Sequence, residues 1–538
     1  MNQQQTATIG IDHEGANRGI LIIGLLVAML FSALDNTIVG TAMPRIVGEL
    51  GGLGVMTWLT TAYMLSSTTV VPIAGKLADM IGRKSVYVAG LLIFMVGSAL
   101  CGTAQSMNQL ILFRGLQGIG GGIMMPMAMI IIGDLFTGEQ RAKWQGVFGG
   151  VFGLASIIGP QVGGWIVDSL NWRWVFYINL PVGIIATVLI AIGLKGQRGT
   201  GRVKIDIGGI FTMIGGVVFL LLALTFGGKN YPWSSWQIVA LLIGSAVFLT
   251  SFGLIESKVG EPIFPLHLFK NKTFSLLSGI GFLMAVGMFG AIMFVPLFMQ
   301  GVIGISASAS GTIMLPMMLS MILTSILGGR IVRKIGVRTQ IIIGMVTMGI
   351  GFWLLSTMGM HTTKLVAMGH MVVLGLGVGL VMPTITLALQ ESFPKSELGV
   401  VTSSSQFFRQ IGGTFGMTIL GAVMNEGSTR LLTVKLTPFL EKLPVQAHGM
   451  VNQLEAMIQT NPQGLYSLLL SPEALAKMPN EIQQTAVPIL KTALVETLHN
   501  VYLYGLLFVG LGVLLTFFLG NIQLSKNSRP FGRDHSSK

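Results

Sequence analysis

Two stretches decide how this chain is to be read: GKLADMIGRK at Gly75–Lys84 and GRIVRKIGVR at Gly329–Arg338. Each follows a long apolar run. Each places a glycine, a basic residue, two apolar residues, then charges, an apolar residue and a second glycine at the same spacing. Glycine-rich runs ending in Met-Pro recur as well, GIGGGIMMP closing at Pro126 and GLGVGLVMP at Pro383. The first pair is 254 positions apart and the second 257. Offsets so nearly equal imply one helical bundle written twice.

The rest of the chain agrees. Of 538 residues, 52% are hydrophobic and only 10% charged, against roughly 25% charged in soluble domains. A bilayer span needs about 20 mostly apolar residues, so the chain reads as an all-α integral membrane protein. Composition excludes a disordered chain, a disulfide-stapled secreted domain and a partner for nucleic acid. The lone Cys101 sits in an apolar run, leaving no internal disulfide and no cysteine-held metal. Met1 to Asn17 is polar and no small-residue cleavage pattern follows the next run, so no removable signal peptide is expected.

Fourteen spans are expected: Ile20 to Met43, Val55 to Gly75, Ser85 to Gly102, Gln109 to Ile132, Trp144 to Val167, Val175 to Leu194, Ile207 to Phe226, Trp236 to Ile255, Phe274 to Met299, Ser308 to Gly329, Thr339 to Met358, Val366 to Leu389, Val400 to Met424 and Val501 to Leu519. The repeat offsets divide them. A tail over 1–19 precedes a six-helix bundle over 20–194, a linker over 195–272 holds the seventh and eighth helices, a second six-helix bundle covers 273–520, and a tail runs over 521–538. Many secondary transporters build two rocking halves from such repeats. The segment 425–500 is the one long polar excursion, expected as a long extracellular loop within the second bundle, and reads as short amphipathic helices, Thr429 to Leu440 and Asn480 to Thr497, broken by prolines. With both termini inside, twenty-two basic residues fall in inside segments and four, Arg45, Arg173, Lys229 and Lys364, in short outside loops. That asymmetry predicts cytoplasmic termini and also explains much of the net charge of +13.

Particular residues resemble a known family, the 14-helix drug:proton antiporters of the major facilitator superfamily (the EmrB/QacA group), from about Ile20 to Leu519. Gly75, Asp79, Gly82, Arg83 and Lys84 match the family's loop motif; Arg114, Gln117, Gly118 and Gly120 its fourth-helix motif; Leu34, Asp35, Thr37 and Pro44 its first-helix motif. Gly146, Gly159, Pro160, Gly163 and Gly164 match the fifth-helix motif that the resemblance ties to antiporters, with Ala155 where that pattern often has glycine. The resemblance implies the major facilitator fold, a plasma-membrane location, proton-coupled efflux of lipophilic or cationic drugs by alternating access, and a loop motif acting as a latch. The second copy has Arg333 where Asp79 stands, so any latch there must differ.

An ionisable side chain in hydrocarbon costs several kcal/mol unless paired or hydrated. Asp35 lies about nine residues from the outer end of its span, or ~13 Å, and Arg114 about six residues from the outer end of its own, or ~9 Å. The two are expected to meet. Burial disfavours a charged carboxyl and a nearby guanidinium favours it, so Asp35 with changing access to water and to Arg114 is the expected proton-coupling residue, and the proton is the only coupling agent expected. The plainer alternative is a static pair pinning two helices. Arg409 in the thirteenth span precedes Gln410 and a glycine run. These two, with Gln117, Met124 and Phe294, are candidates for a cavity that takes lipophilic or cationic small molecules; methionine, 33 residues in all, suits a surface that repacks.

No GxxxxGK[ST], HExxH or GxSxG motif occurs, which argues against nucleotide-driven or enzymatic chemistry. The expected partners are membrane lipids and the transported molecules, with the chain acting as a monomer, alone or beside an adaptor or envelope protein. Export of a lipid or cell-envelope precursor on the same scaffold is the nearest alternative. A channel is the more distant one.

Overall fold

The computed structural model describes residues 18–51, 55–56, 58–136, 138–194, 206–228, 231–260, 262–305, 313–440, 454–458, 465–466, 469, 480–520 and 522. Apart from one isolated bridge between Gly227 and Tyr231, these are helices and connections. The long helices are α1 (Arg18–Leu50), α2 (Trp58–Ile81), α3 (Arg83–Thr103), α4 (Met107–Leu135), α5 (Gly138–Ser169), α6 (Asn179–Gly193), α7 (Ile207–Phe226), α8 (Trp236–Glu256), α9 (Lys272–Phe298), α10 (Met314–Ile335), α11 (Val337–Ser356), α12 (Lys364–Ser392), α13 (Leu398–Lys435) and α14 (Asn480–Phe517). The first helix begins, and the last ends, on the face of the bundle that carries both loop repeats, called here the motif end.

Duplication is visible in the packing. In the first half α1 packs on α5 and α6, α2 on α4, and α3 on α4 and α6; in the second α9 packs on α13 and α14, α10 on α12, and α11 on α12 and α14. Glycine makes each copy of this contact possible. A Cβ on Gly118 would stand 2.5 Å from the Tyr63 carbonyl oxygen and one on Gly122 2.2 Å from that of Ser67; the equivalents, Gly375 and Gly379, would meet the carbonyls of Met317 at 2.1 Å and Met321 at 2.4 Å. Gly120 against Gly90 and Phe94 is likewise repeated by Gly377 against Gly344 and Met348. Every one of these pairs is related by the same two sequence offsets, so the halves are built alike backbone to backbone, as close helix approach in membranes requires.

Across the halves α2 meets α13 and α5 meets α10, while the inserted pair α7–α8 leans on α2 and α13 through α7. Val71, Met213, Val217, Leu221, Leu224, Phe407 and Ile411 form that seam. Eleven of the long helices are apolar enough to cross a membrane by length and composition. The others are α2, α5 and α13, and all three lie at the interface between halves. Their Ser, Thr, Gln and Gly content disfavours lipid contact and suits a seam that separates and re-forms.

Two boundaries differ from expectation. The helices predicted at Thr429 to Leu440 and Asn480 to Thr497 are, up to Lys435 and from Asn480, continuations of α13 and α14. Each of these is 38 residues, or roughly 57 Å at 1.5 Å per residue, well beyond the ~30 Å of hydrocarbon. Pro488 does not end α14. The extensions persist because Leu432, Leu436, Leu440, Leu490, Leu494 and Leu498 bury one another together with Ile458, Leu465 and Tyr466, so an apolar seam outside the lipid replaces the bilayer as the reason for a helix.

Candidate functional site

Asp35 is the centre of a sealed polar cluster drawn from five helices. Asp35 on α1, Arg114 and Gln117 on α4, Ser98 on α3 and Asn179 at the start of α6 are each at most 2% exposed. Arg114 Nη1 lies 2.5 Å from Asp35 Oδ2, and Asp35 Oδ1 accepts from Gln117 Nε2 at 2.8 Å and Asn179 Nδ2 at 2.9 Å. Arg114 and Gln117 are three apart and share a helix face, and Arg114 Nη1 also donates to Gln117 Oε1 at 2.7 Å. The Ser98 hydroxyl accepts from both amides, at 3.2 Å and 2.9 Å, and donates to the Phe176 carbonyl at 2.8 Å. The remaining arginine nitrogens reach the Leu59 carbonyl on α2 at 3.4 Å and Asn36 Oδ1 at 3.3 Å, and the guanidinium lies 4.3 Å from the Tyr63 ring centroid. Three donors converge on one carboxyl group, the hydrogen-bond pattern of an ionised acid. Sequence reasoning paired Asp35 with Arg114 but missed Asn179, Ser98 and Tyr63. Their only signal was polarity inside apolar runs.

Next to this cluster, the fifth-helix motif sets α5 against α1. A Cβ on Gly159 would lie 1.9 Å from Thr37 Oγ1, and one on Gly163 3.2 Å from Ile38, while Thr37 Oγ1 donates to the Ala155 carbonyl at 3.2 Å. Gly164 meets nothing within 4 Å. Gly146 and Pro160 belong to the α5 backbone, and their surroundings lie outside the described residues.

At the motif end the loop residues do cross between halves. Asp79 accepts the N–H groups of Gly399 at 3.2 Å and Val400 at 2.9 Å, the free donors at the start of α13. Arg83 holds Asp79 at 2.8 Å and Asp134 at 3.1 Å and donates to the Ala78 carbonyl at 2.9 Å, while Lys84 Nζ donates to the Ala191 carbonyl on α6 at 2.6 Å. Gly75 is required here: its Cβ would be 1.9 Å from Ser403 Oγ and 2.6 Å from the Gly399 carbonyl. Gly82, with φ of 96°, occupies a backbone conformation that favours glycine and turns the chain into α3. Burial pushes the Asp79 carboxyl up to about 6, against the pull of Arg83 and the two N–H groups.

The second half uses different chemistry. Arg333 is exposed. Arg141 at the start of α5, 4% exposed, instead pairs with Glu391 on α12 at 3.2 Å while donating to the Phe136 carbonyl at 3.0 Å and to that of Gly133. Glu391 stands 257 positions after Asp134, so the repeat that supplies an internal partner to Arg83 supplies a cross-half partner to Arg141. Neither residue was singled out from sequence.

The proposed cavity residues separate. Arg409 Nη2 donates to Gln406 Oε1, and Gln406 Nε2 lies 3.2 Å from Met125 Sδ of the other half. Gln410 Oε1 is buried with no hydrogen-bond partner among the described residues. Met124 (1% exposed) belongs to the packed core of the first half and Phe294 (3% exposed) to that of the second, so in this conformation both are core side chains.

The model of the Major Facilitator Superfamily matches residues 25–417. The chain belongs to that superfamily. It is 65% identical over 510 residues to the multidrug transporter protein MdtP of Bacillus subtilis (strain 168), covering 95% of this chain and 94% of the relative. Multidrug resistance protein 3 of the same organism is 41% identical over 421 residues, covering 78% and 81%. Among solved structures, the human organic anion transporter MFSD10 (TETRAN) superposes with a TM-score of 0.58 at 12% identity, covering 92% of this chain and 99% of that one. The major facilitator chain is thus a multi-pass membrane transporter rather than an enzyme, and its two halves are those of the superfamily fold.

Proposed function

We propose that this transporter exports lipophilic or cationic small molecules in exchange for protons, with Asp35 as the carboxyl group that binds and releases the coupling proton. The observation that carries the reading is the sealing of Asp35 at 1% exposure against Arg114, Gln117 and Asn179. A charge withdrawn this far from water is affordable only while its partners stay in place. Movement of α4 or α6 relative to α1 strips away donors and favours protonation. Two relatives named as multidrug proteins support the cargo class. The basic residues gathered at the motif end support a cytoplasmic position for that end and both termini. In this reading no coupling agent besides the proton is needed, and one chain suffices.

In the conformation described, Asp79–α13 and Arg141–Glu391 hold the motif end shut, and rocking of the halves breaks both contacts together. The test uses inverted membrane vesicles with an imposed pH gradient and a fluorescent cationic dye. Wild type drives gradient-dependent dye movement, and Asp35→Asn abolishes it while folded protein stays in the membrane. Undiminished coupled transport by Asp35→Asn overturns the assignment.

A further inference from the structure

The base of the inserted hairpin holds a pair of acids, Glu256 buried and Asp206 partly buried, apart from the Asp35 cluster. Asp206 caps α7, its Oδ1 accepting the Gly209 N–H at 2.8 Å. Glu256 ends α8 and is 4% exposed; its Oε1 accepts the N–H groups of Ile263 at 3.2 Å and Phe264 at 3.4 Å. The other oxygen of each, Asp206 Oδ2 and Glu256 Oε2, is buried without a hydrogen-bond partner among the described residues. The two carboxyl groups are neighbours. A Cβ on Gly209 would lie 2.3 Å from Asp206 Oδ2 and 3.0 Å from Glu256 Oε1, so only glycine there leaves room for both.

Buried oxygens without a partner among the described residues, on adjacent carboxyls, are a specific chemical situation. Two like charges so placed work against ionising both, and the protons of such a pair come off as a pair property. One proton turns an acceptor into a donor, satisfying an oxygen that has no other partner among the described residues. The charged groups acting on Glu256 are Asp206 of α7 and, with opposite sign, Lys76 of α2; the connection at 263–264 contributes backbone N–H groups. We propose that Asp206 and Glu256 share a single proton at neutral pH, making the hairpin base a proton-binding site distinct from Asp35. Asp206 is only partly buried, so this proton exchanges with water at the motif end and not through the transport path. Glu256 grips the connection that leads into α9, and α7 rests on α2 and α13. Loss of the proton therefore loosens the hairpin where it touches both halves.

Infrared spectroscopy of the purified full-length protein tests this directly. The carbonyl-stretch band of a protonated carboxylic acid is expected at neutral pH in wild type and in Asp35→Asn, which separates this site from the coupling residue. Glu256→Gln removes the band while keeping the wild-type melting temperature, because the amide mimics the protonated acid. Asp206→Asn also removes it, since Glu256 then ionises beside a neutral donor. No band in wild type, or one that survives both Glu256→Gln and Asp206→Asn, overturns the proposal. So does sodium- or magnesium-dependent thermal stabilisation that Glu256→Gln abolishes, which would make the pair a cation site.

Discussion

Replacing Glu391 with Gln tests whether the motif end is held by charge. The substitution keeps the shape of the side chain but leaves the Arg141 guanidinium, whose side chain is 5% exposed, with only carbonyl partners. Glu391 itself is 19% exposed, so the pair is largely out of water and escapes the screening that makes surface ion pairs nearly neutral. Hydrogen bonds to charged groups contribute about 1.5–3 kcal/mol. Glutamine keeps an acceptor oxygen, so what the closed state loses is the excess over a neutral hydrogen bond, about 1 kcal/mol, which shifts the closed-to-open ratio roughly 5-fold, at 1.4 kcal/mol per factor of ten. Spin labels on introduced cysteines at the motif ends of α5 and α12 read the shift as a longer distance population; the native Cys101 is buried and does not compete for label. Breaking the exposed Lys435–Glu496 pair at the other end of the molecule, at 31% and 45% exposure, serves as the control and leaves the distances unchanged. An unaltered distribution in Glu391→Gln would refute the reasoning, showing that the seam is held by the backbone contacts at Gly75 and Gly399 alone.

Three further outcomes are expected. Asp79 is raised to about 6 from 3.8 in the closed state, so closure binds a proton: the closed population grows as pH falls through 6 and levels off below the unperturbed value; the same labels on α2 and α13 in Asp79→Asn should lose this dependence. Gly118→Ala and Gly375→Ala each drive a methyl into a backbone carbonyl, at 2.5 Å and 2.1 Å; overpacking of this kind costs about 1–3 kcal/mol, and melting temperatures in detergent should fall in both, by similar amounts because the sites are copies. Asn179→Ala removes the 2.9 Å donor to Asp35 and one donor to Ser98 and leaves Gln117 as the remaining amide donor to both; losing a hydrogen bond to a charged group costs about 1.5–3 kcal/mol, and gradient-driven dye exchange should fall, whereas unchanged exchange would remove Asn179 from the coupling cluster.

The sequence by itself determined the class, the number of helices and the duplication, because these follow from one-dimensional quantities: apolar run length set by bilayer thickness, and glycine spacing set by how closely two backbones approach. It also placed Asp35 and Arg114 at similar depth, since rise per residue converts position into height. What depth does not give is azimuth. Only the folded chain decided that Asn179 and Ser98 turn toward Asp35 while Met124 and Phe294 turn into the cores. That the helices expected beyond the lipid continue the spans escaped notice because prolines and polar residues there resemble breaks until Leu432, Leu465 and Leu494 are seen to bury one another. Arg141 and Glu391 lie 250 positions apart, each an ordinary loop-side charge in sequence. They become a contact only when two copies of a bundle are set face to face, because the partner of a charge is chosen by packing, which no local pattern records.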